Sequence, residues 1–241
     1  AVRFLLKVLN DFVRWVEQLP YASLDGIWLY RLEVLGIYIF LLLFLYYLKT
    51  RRFRNLVVCF SCLLCLGIYH TVMRWYDRPC PSLVFYNVRG CPAIHCIAED
   101  GTSWLNYADT LSDKRRLQAV AANYWRRHQL LPPIEVTADC QNVDFCRHQQ
   151  IVFYHGCRIC MVTDNRWRNK SAASPLFINY MYLCKGYNGR LEELTGLFSP
   201  SCILLDASLS DDRKQFFREE CKRLHLHFIT LSEEGSVRFL L

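Results

Sequence analysis

Two long apolar runs near the start of the 241-residue chain constrain its fold more than any other feature. Val34–Leu48 reads VLGIYIFLLLFLYYL, fifteen residues without a charge. Extended back to Ile27 it reaches 22 residues, admitting Arg31 and Glu33 near one end. Asn55–Met73 follows, 19 residues with no Lys, Arg, Asp or Glu. About 20 apolar residues at ~1.5 Å rise are enough to cross a bilayer core. Arg31 is long enough to reach the interface, and Trp28, Tyr30, Tyr46 and Tyr47 fall where aromatic belts form. Transmembrane helices are therefore expected at 27–48 and 55–74. Two buried core helices, one on each side of a charged hairpin, are the poorer account.

The hairpin is Lys49-Thr50-Arg51-Arg52-Phe53-Arg54. Four positive charges in so short a loop place it, by the positive-inside rule, in the cytoplasm. In a bacterial inner membrane the region after the second span is then periplasmic. The formal net charge of +7 divides accordingly. Residues 1–78 carry net +5 and residues 79–241 carry net +2. Most of the excess lies beside the apolar runs, which argues against a simple soluble nucleic-acid-binding domain.

Residues 1–20 have a different pattern. Arg3, Lys7, Asn10, Arg14 and Glu17 share one helical face, and Leu5, Leu6, Leu9, Phe12, Val13, Val16 and Leu19 the other. This is an amphipathic helix suited to the membrane interface, or equally to packing on further protein. It has charges throughout and no small-residue cleavage site, unlike a signal peptide. The chain starts at Ala1 without Met, so it is expected to be the C-terminal part of a longer polypeptide.

From Pro79 the pattern becomes mixed, over a length that suits one compact domain. Strands are expected at 82–88, 93–98, 102–107, 134–137, 150–154, 157–163, 176–183, 202–206, 225–230 and 236–240. Helices are expected at 112–128 with Ser112 as N-cap, at 191–198, and at 210–224 with Ser210 as N-cap. Strands first and then alternation indicate an α/β or α+β sandwich.

The chain has thirteen cysteines. Cys59, Cys62 and Cys65 read as small packing residues on one face of the second span. Cys157-Arg158-Ile159-Cys160 matches C-x-x-C, but in a strand the period of two puts the sulfurs on opposite faces. In a periplasmic domain some of Cys80, Cys91, Cys96, Cys140 and Cys146 are candidates for disulfides, with connectivity open. His225-x-His227 is the one histidine pair spaced to share a strand face, and two ligands do not make a metal site. No G-x-S-x-G, phosphate-binding loop or H-E-x-x-H occurs. Basic residues cluster as Lys114-Arg115-Arg116, Arg126-Arg127 and Arg166-x-Arg168, near Tyr124, Trp125 and Trp167. Such a mixture lines grooves for single-stranded nucleic acid, and equally forms a solvated helix face.

The order of an amphipathic helix, LDGIWLYRLEVLGIYIFLLL, a basic hairpin, a second span and then SLVFYNVRGCPAIHCIAEDG resembles the C-terminal part of ComEC-type competence proteins. These are inner-membrane channels that bring single-stranded DNA into the cytoplasm. The resemblance covers essentially the whole chain. It implies that residues 79–241 form a metallo-β-lactamase-like domain. It also implies that the bulk of the pore lies upstream in the same polypeptide. The family's opening strand, roughly F-L-D-V-G-Q-G-D-A, stands here as Phe85-Tyr86-Asn87-Val88-Arg89-Gly90-Cys91-Pro92-Ala93, with both acidic positions lost. Where H-x-H-x-D-H is due, the chain has Ala138-Asp139-Cys140-Gln141-Asn142-Val143. Asp164 matches the family's metal-bridging Asp, and Lys185-Gly186-Tyr187 replaces a His-His-Gly turn.

A two-metal hydrolase needs several His and carboxylate ligands. The expectation is therefore a degenerate, non-catalytic domain without a cofactor, in a protein of single-stranded DNA uptake. The candidate DNA contacts are Lys114, Arg115, Arg116, Arg126, Arg127, Arg166 and Arg168. The rival is a membrane-anchored metal-dependent hydrolase or nuclease with an unusual ligand set, Asp139, Asp164, His225 and His227. A purely structural domain, or transport of something other than DNA, stands beside these.

Overall fold

A computed structural model describes residues 7, 10, 11, 14, 28–108, 114–142 and 144–241. The expected helix at 1–20 lies outside the described residues except for Lys7, Asn10, Asp11 and Arg14, which are helical and exposed. Ser112 and Val143 also lie outside them. The chain divides into two compact units, the first ending at Met73 and the second beginning at Arg74.

The first unit carries α1 (Arg31–Thr50) and most of α2 (Phe53–Tyr76). Both helices are long and apolar enough to cross a membrane, and both are largely exposed. Glu33 starts α1. Its carboxylate accepts the Tyr30 amide (2.9 Å) and contacts His70 Nδ1 of α2 (2.7 Å). Gly36 fits closely against Leu66: a Cβ on Gly36 would lie 2.3 Å from Leu66 Cδ2. Among the described residues this polar pair, this close approach and an edge-to-face contact of Tyr30 with Tyr69 link the two helices, as in membrane helix pairs, where small residues permit contact. Of the three cysteines on α2, Cys59 is buried and Cys65 exposed.

The second unit is built on two sheets. The first has the order β12-β1-β2-β3-β4, from β1 (Ser82–Phe85), β2 (Ala93–Ile97), β3 (Ser103–Tyr107), β4 (Ile134–Val136) and β12 (Val237–Leu240). It is antiparallel except for the β3–β4 pair. The second sheet runs β11-β10-β9-β8-β7-β6-β5. Its strands are β5 (Cys140–Gln141), β6 (Phe145–His148), β7 (Ile151–Tyr154), β8 (Cys157–Val162), β9 (Leu176–Leu183), β10 (Phe198–Leu205) and β11 (Phe228–Thr230). β8, β9, β10 and β11 run parallel to one another, and β5 to β8 pair antiparallel.

Alternation along the strands sorts the core into three layers. Leu83, Phe85, Ile94 and Cys96 of the first sheet meet Val152, Ile159, Met161 and Tyr182 of the second. The outer face of the first sheet, with Val84, Ile97 and Leu105, is covered by Leu117 and Ala121 of α3 (Lys114–Arg127). The outer face of the second sheet, with Val162, Leu183 and Ile203, is covered by α4 (Leu191–Thr195) and α5 (Asp211–Arg223) through Leu191, Leu194 and Phe217. A short α6 (Leu231–Glu234) precedes β12. The unit is a helix–sheet–sheet–helix sandwich, as the mixed α+β pattern predicted.

Several boundaries differ from the sequence reading. The helix expected at 191–198 stops at Thr195, and β10 already begins at Phe198. Pro200 fits inside β10 because β11 pairs only from Ile203, leaving that stretch with a free edge. β5, β6 and α6 were not foreseen, being two to four residues long. Ser210 does cap α5, its Oγ accepting the Arg213 amide (3.4 Å).

All thirteen cysteines are free. That corrects the expectation of disulfides, and the reasons are geometric. Cys96 and Cys91 are fully buried and belong to different core layers. Cys140 pairs across the β5–β6 hairpin with Arg147, whereas Cys146 pairs with Gln141, so the two thiols lie on opposite faces. Cys157 and Cys160 do fall on opposite faces: Cys157 packs on the inter-sheet layer and Cys160 under the helices.

Candidate functional site

Because β8, β9 and β10 are parallel, the loops after them emerge at one edge of the sheet, where α/β proteins place ligand sites. The β1–β2 loop and the residue after β3 reach the same edge. Together they line a cavity of about 480 Å³ with Pro92, Ala108, Asp164, Lys185, Gly186 and Ser208 at its walls. A smaller polar cavity of about 210 Å³ adjoins it, sharing Ala108 and Thr163 and adding Asp139, Arg147, Gln149 and Arg166. The loops after β1, β4, β8 and β9 that the sequence reading singled out are thus gathered into one cleft.

Close backbone approach shapes this cleft. Gly186 has φ +117, and a Cβ there would lie 2.2 Å from the Thr163 carbonyl oxygen. Only glycine lets the loops after β8 and β9 meet this way. Below them Asp206 is fully buried: Tyr182 donates its hydroxyl to one carboxylate oxygen, and the Ser208 amide donates to the other (2.7 Å). Burial raises the Asp206 pKa, and those hydrogen bonds only partly offset the rise.

Asp164 does not face the cleft as an open ligand. Arg166 grips it with Nε to both oxygens (3.0 and 2.9 Å) and Nη2 to Oδ2 (2.8 Å). Desolvation would raise the Asp164 pKa, but the Arg166 hydrogen bonds outweigh it and hold the carboxyl below its usual range. Asp139 accepts the Gln149 amide (2.7 Å) and pairs with His148 (3.1 Å).

The four-residue ligand set Asp139, Asp164, His225 and His227 is not assembled. Asp164 follows the C-terminal end of β8, whereas His225 and His227 precede the N-terminal end of β11. In a parallel sheet these are opposite edges. His227 instead contacts the Cys202 thiol (Nδ1 to Sγ 3.2 Å), whose pKa burial pushes up to about 11. Among the described residues no three His, Cys, Asp or Glu side chains group as a metal site would require. The residues present therefore do not fit a dinuclear centre.

Arg147 is the residue that sequence reasoning missed. It lies half-buried on β6, on the same face as Phe145, which stacks on Trp104 of β3 (ring centroids 5.5 Å apart). That anchor brings the guanidinium under the other sheet. Nη1 donates to Asn106 Oδ1 of β3 (2.6 Å) and to the Val136 carbonyl of β4 (2.8 Å), and Nε donates to the Gln149 carbonyl (3.2 Å). Among the described residues no carboxylate pairs with it and nothing accepts from its Nη2. Desolvation lowers its pKa, opposed by the nearby Asp139 charge. The one signal in the sequence was an arginine at the inward position of an alternating Phe-Cys-Arg-His segment.

The candidate DNA contacts separate into two places. Lys114, Arg115, Arg116, Arg126 and Arg127 sit on α3, which has no acidic residue. Lys114 pairs with Glu135 and Arg127 with Asp77 (3.1 Å). Arg116 approaches the Arg89 carbonyl (3.5 Å), while Arg115 and Arg126 are exposed. Eleven residues apart, Arg115 and Arg126 share a helix face about 16 Å in length. The buried face of α3 rests on a polar chain: Trp125 Nε1 donates to Tyr86 Oη (2.8 Å), which bonds His95 Nδ1 (2.8 Å). Burial pushes the His95 pKa down to about 3. Arg166 belongs to the cleft. Arg168 pairs weakly with Glu193 (3.8 Å).

The model of the ComEC C-terminal domain family matches residues 83–241, almost the whole of the second unit. The chain belongs to this family. No curated protein and no solved structure gives a significant match.

Proposed function

We propose that the chain is the C-terminal portion of an inner-membrane protein of single-stranded DNA uptake, and that its sheet domain handles DNA without cutting it. The observation that carries the reading is the family match over residues 83–241. Two apolar helices preceding that domain agree with a multi-pass membrane protein. On this reading the 49–54 hairpin is cytoplasmic by its charge and the sheet domain is periplasmic. The helix–sheet–sheet–helix layering and the cleft at the strand ends support a metallo-β-lactamase-like origin.

The absence of cutting is argued from the residue types. Two-metal hydrolysis needs ligands that hold both ions and generate hydroxide. The cleft offers one carboxylate already gripped by Arg166 and another bonded to His148 and the Gln149 amide. The exposed arginines of α3 are suited to phosphate contacts, which position a strand without reading its sequence.

Two measurements test this. Removing residues 79–241 while keeping the spans is expected to lower transformation of the host. The full chain in nanodiscs is expected to bind oligothymidylate with an affinity that falls as salt rises. Changing Arg115, Arg116, Arg126 and Arg127 together to Ala should weaken that binding. Unchanged transformation together with unchanged binding rejects the proposal.

A further inference from the structure

Among the described residues the cleft holds no metal ligand set, yet it is not a featureless remnant. The 210 Å³ cavity is far larger than the about 10–15 Å³ that a single water requires. Its walls are mostly polar, and two guanidinium groups reach it, those of Arg147 and Arg166. They are held differently. Arg166 is clamped to Asp164 through Nε and Nη2, leaving Nη1 without a described partner. Arg147 is fixed by neutral acceptors from two strands of the opposite sheet, and among the described residues no carboxylate contacts it directly. A half-buried arginine held by neutral oxygens, with no partner for Nη2 among the described residues, is a positioned cation suited to an anion. Thr163 and Gln149 stand at the same cavity and can add hydrogen bonds.

We propose that this cleft is a phosphate site, in which the Arg147 and Arg166 guanidinium groups bind one tetrahedral phosphate group. A fixed guanidinium here does what a dication does in a hydrolase as far as holding an oxyanion is concerned, but it cannot ionise a water for attack. The site is therefore built to hold a phosphate and release it intact. Planar, forked donors suit phosphate oxygens better than a point charge would. Asp139 and Asp164 offset the formal charge of the two guanidinium groups, so binding rests on their free forked donors, which favours reversible holding over tight capture.

The phosphate can be a free ion or one link of a nucleic-acid backbone, and the latter rests on the proposed role in DNA uptake. Calorimetry on the full chain in nanodiscs distinguishes these sources, using inorganic phosphate in one arm and a five-nucleotide oligothymidylate in the other. Phosphate is expected to bind. Arg147→Gln should weaken it by about tenfold and Arg166→Gln by a few-fold. Arg147→Lys, which keeps the charge but loses the fork, should fall between wild type and Arg147→Gln. Arg223→Gln, a surface arginine beside Glu192, should change nothing.

Should Arg147→Gln fail to fold, Arg147→Lys and Arg166→Gln decide. Wild-type affinity in both overturns the site, as does the absence of phosphate binding to wild type. Stoichiometric zinc or manganese bound in the presence of these arginines overturns it too. Phosphate binding that depends on Arg147 without oligothymidylate binding upholds the site and rejects the DNA role. Oligothymidylate binding that ignores both arginines, with phosphate binding that ignores them too, rejects the site and upholds the DNA role.

Discussion

The two basic regions of the sheet domain hold their charge in opposite ways. On α3 the charge is displayed: Arg115 and Arg126 project from an acid-free helix into solvent. In the cleft it is built in: Arg147 sits between the sheets and donates to Asn106, Val136 and Gln149. Displayed charge attracts a polyanion broadly and is weakened by salt. Built-in charge has one geometry and is coupled to folding, because its loss leaves buried acceptors without donors. A basic residue's role here follows from what lies behind it, not from the cluster it belongs to in sequence.

The sharpest way to break the comparison is to deform the cleft alone. Gly186→Ala forces a Cβ against the Thr163 carbonyl at a positive φ, and should cost about 3 kcal/mol in chemical denaturation. A loss below about 1 kcal/mol would mean the loops after β8 and β9 adjust freely. Next, Asn106→Ala removes an acceptor of the Arg147 guanidinium at a fully buried position, and should cost about 2 kcal/mol. Phosphate affinity should fall with it, since the guanidinium loses its hold.

Acid should loosen the footing of α3 in particular. His95 has a folded pKa near 3 against an ordinary 6.5, so between those values the unfolded chain binds the proton and the folded domain does not. Stability therefore falls as pH drops through that window, by on the order of a few kcal/mol. Asp206, whose raised pKa means that its folded form takes up a proton first, works in the opposite sense on the acid side. Comparing the pH dependence of wild type with His95→Gln isolates the histidine, and hydrogen exchange along α3 should report it.

The smallest effect is expected on the displayed side. Arg115→Ala with Arg126→Ala should change stability by less than about 0.5 kcal/mol. If both arginines touch phosphates, the slope of log affinity against log salt for oligothymidylate should fall by about 1.4. A stability change larger than that of Asn106→Ala would erase the distinction between the two regions.

The large elements were legible because their patterns are long. β9 at 176–183 and α5 behind its Ser210 cap follow from periodicity and capping chemistry. The two apolar helices follow from length and composition. The outline of the cleft was legible through resemblance, since Gly90, Pro92, Ala138, Asp139, Asp164 and Lys185, all within the stretches that carry it, line the two cavities. Its content was not. β5 and β6 are too short and too polar to announce a hairpin. The position of Arg147 depends on contacts to Asn106 and Val136, 41 and 11 residues away, which no local pattern encodes. The supposed pair of His225 and His227 failed for a related reason. Spacing put the two rings on one strand, but topology put that strand end at the far edge from Asp164.

Guanidinium groups occupy a cleft where the family resemblance calls for metal. Metal analysis of the purified full chain, alongside a cleavage assay on single-stranded DNA with added zinc or manganese, tests this. No stoichiometric metal and intact, bound DNA are expected. Stoichiometric metal with metal-dependent cleavage would contradict that.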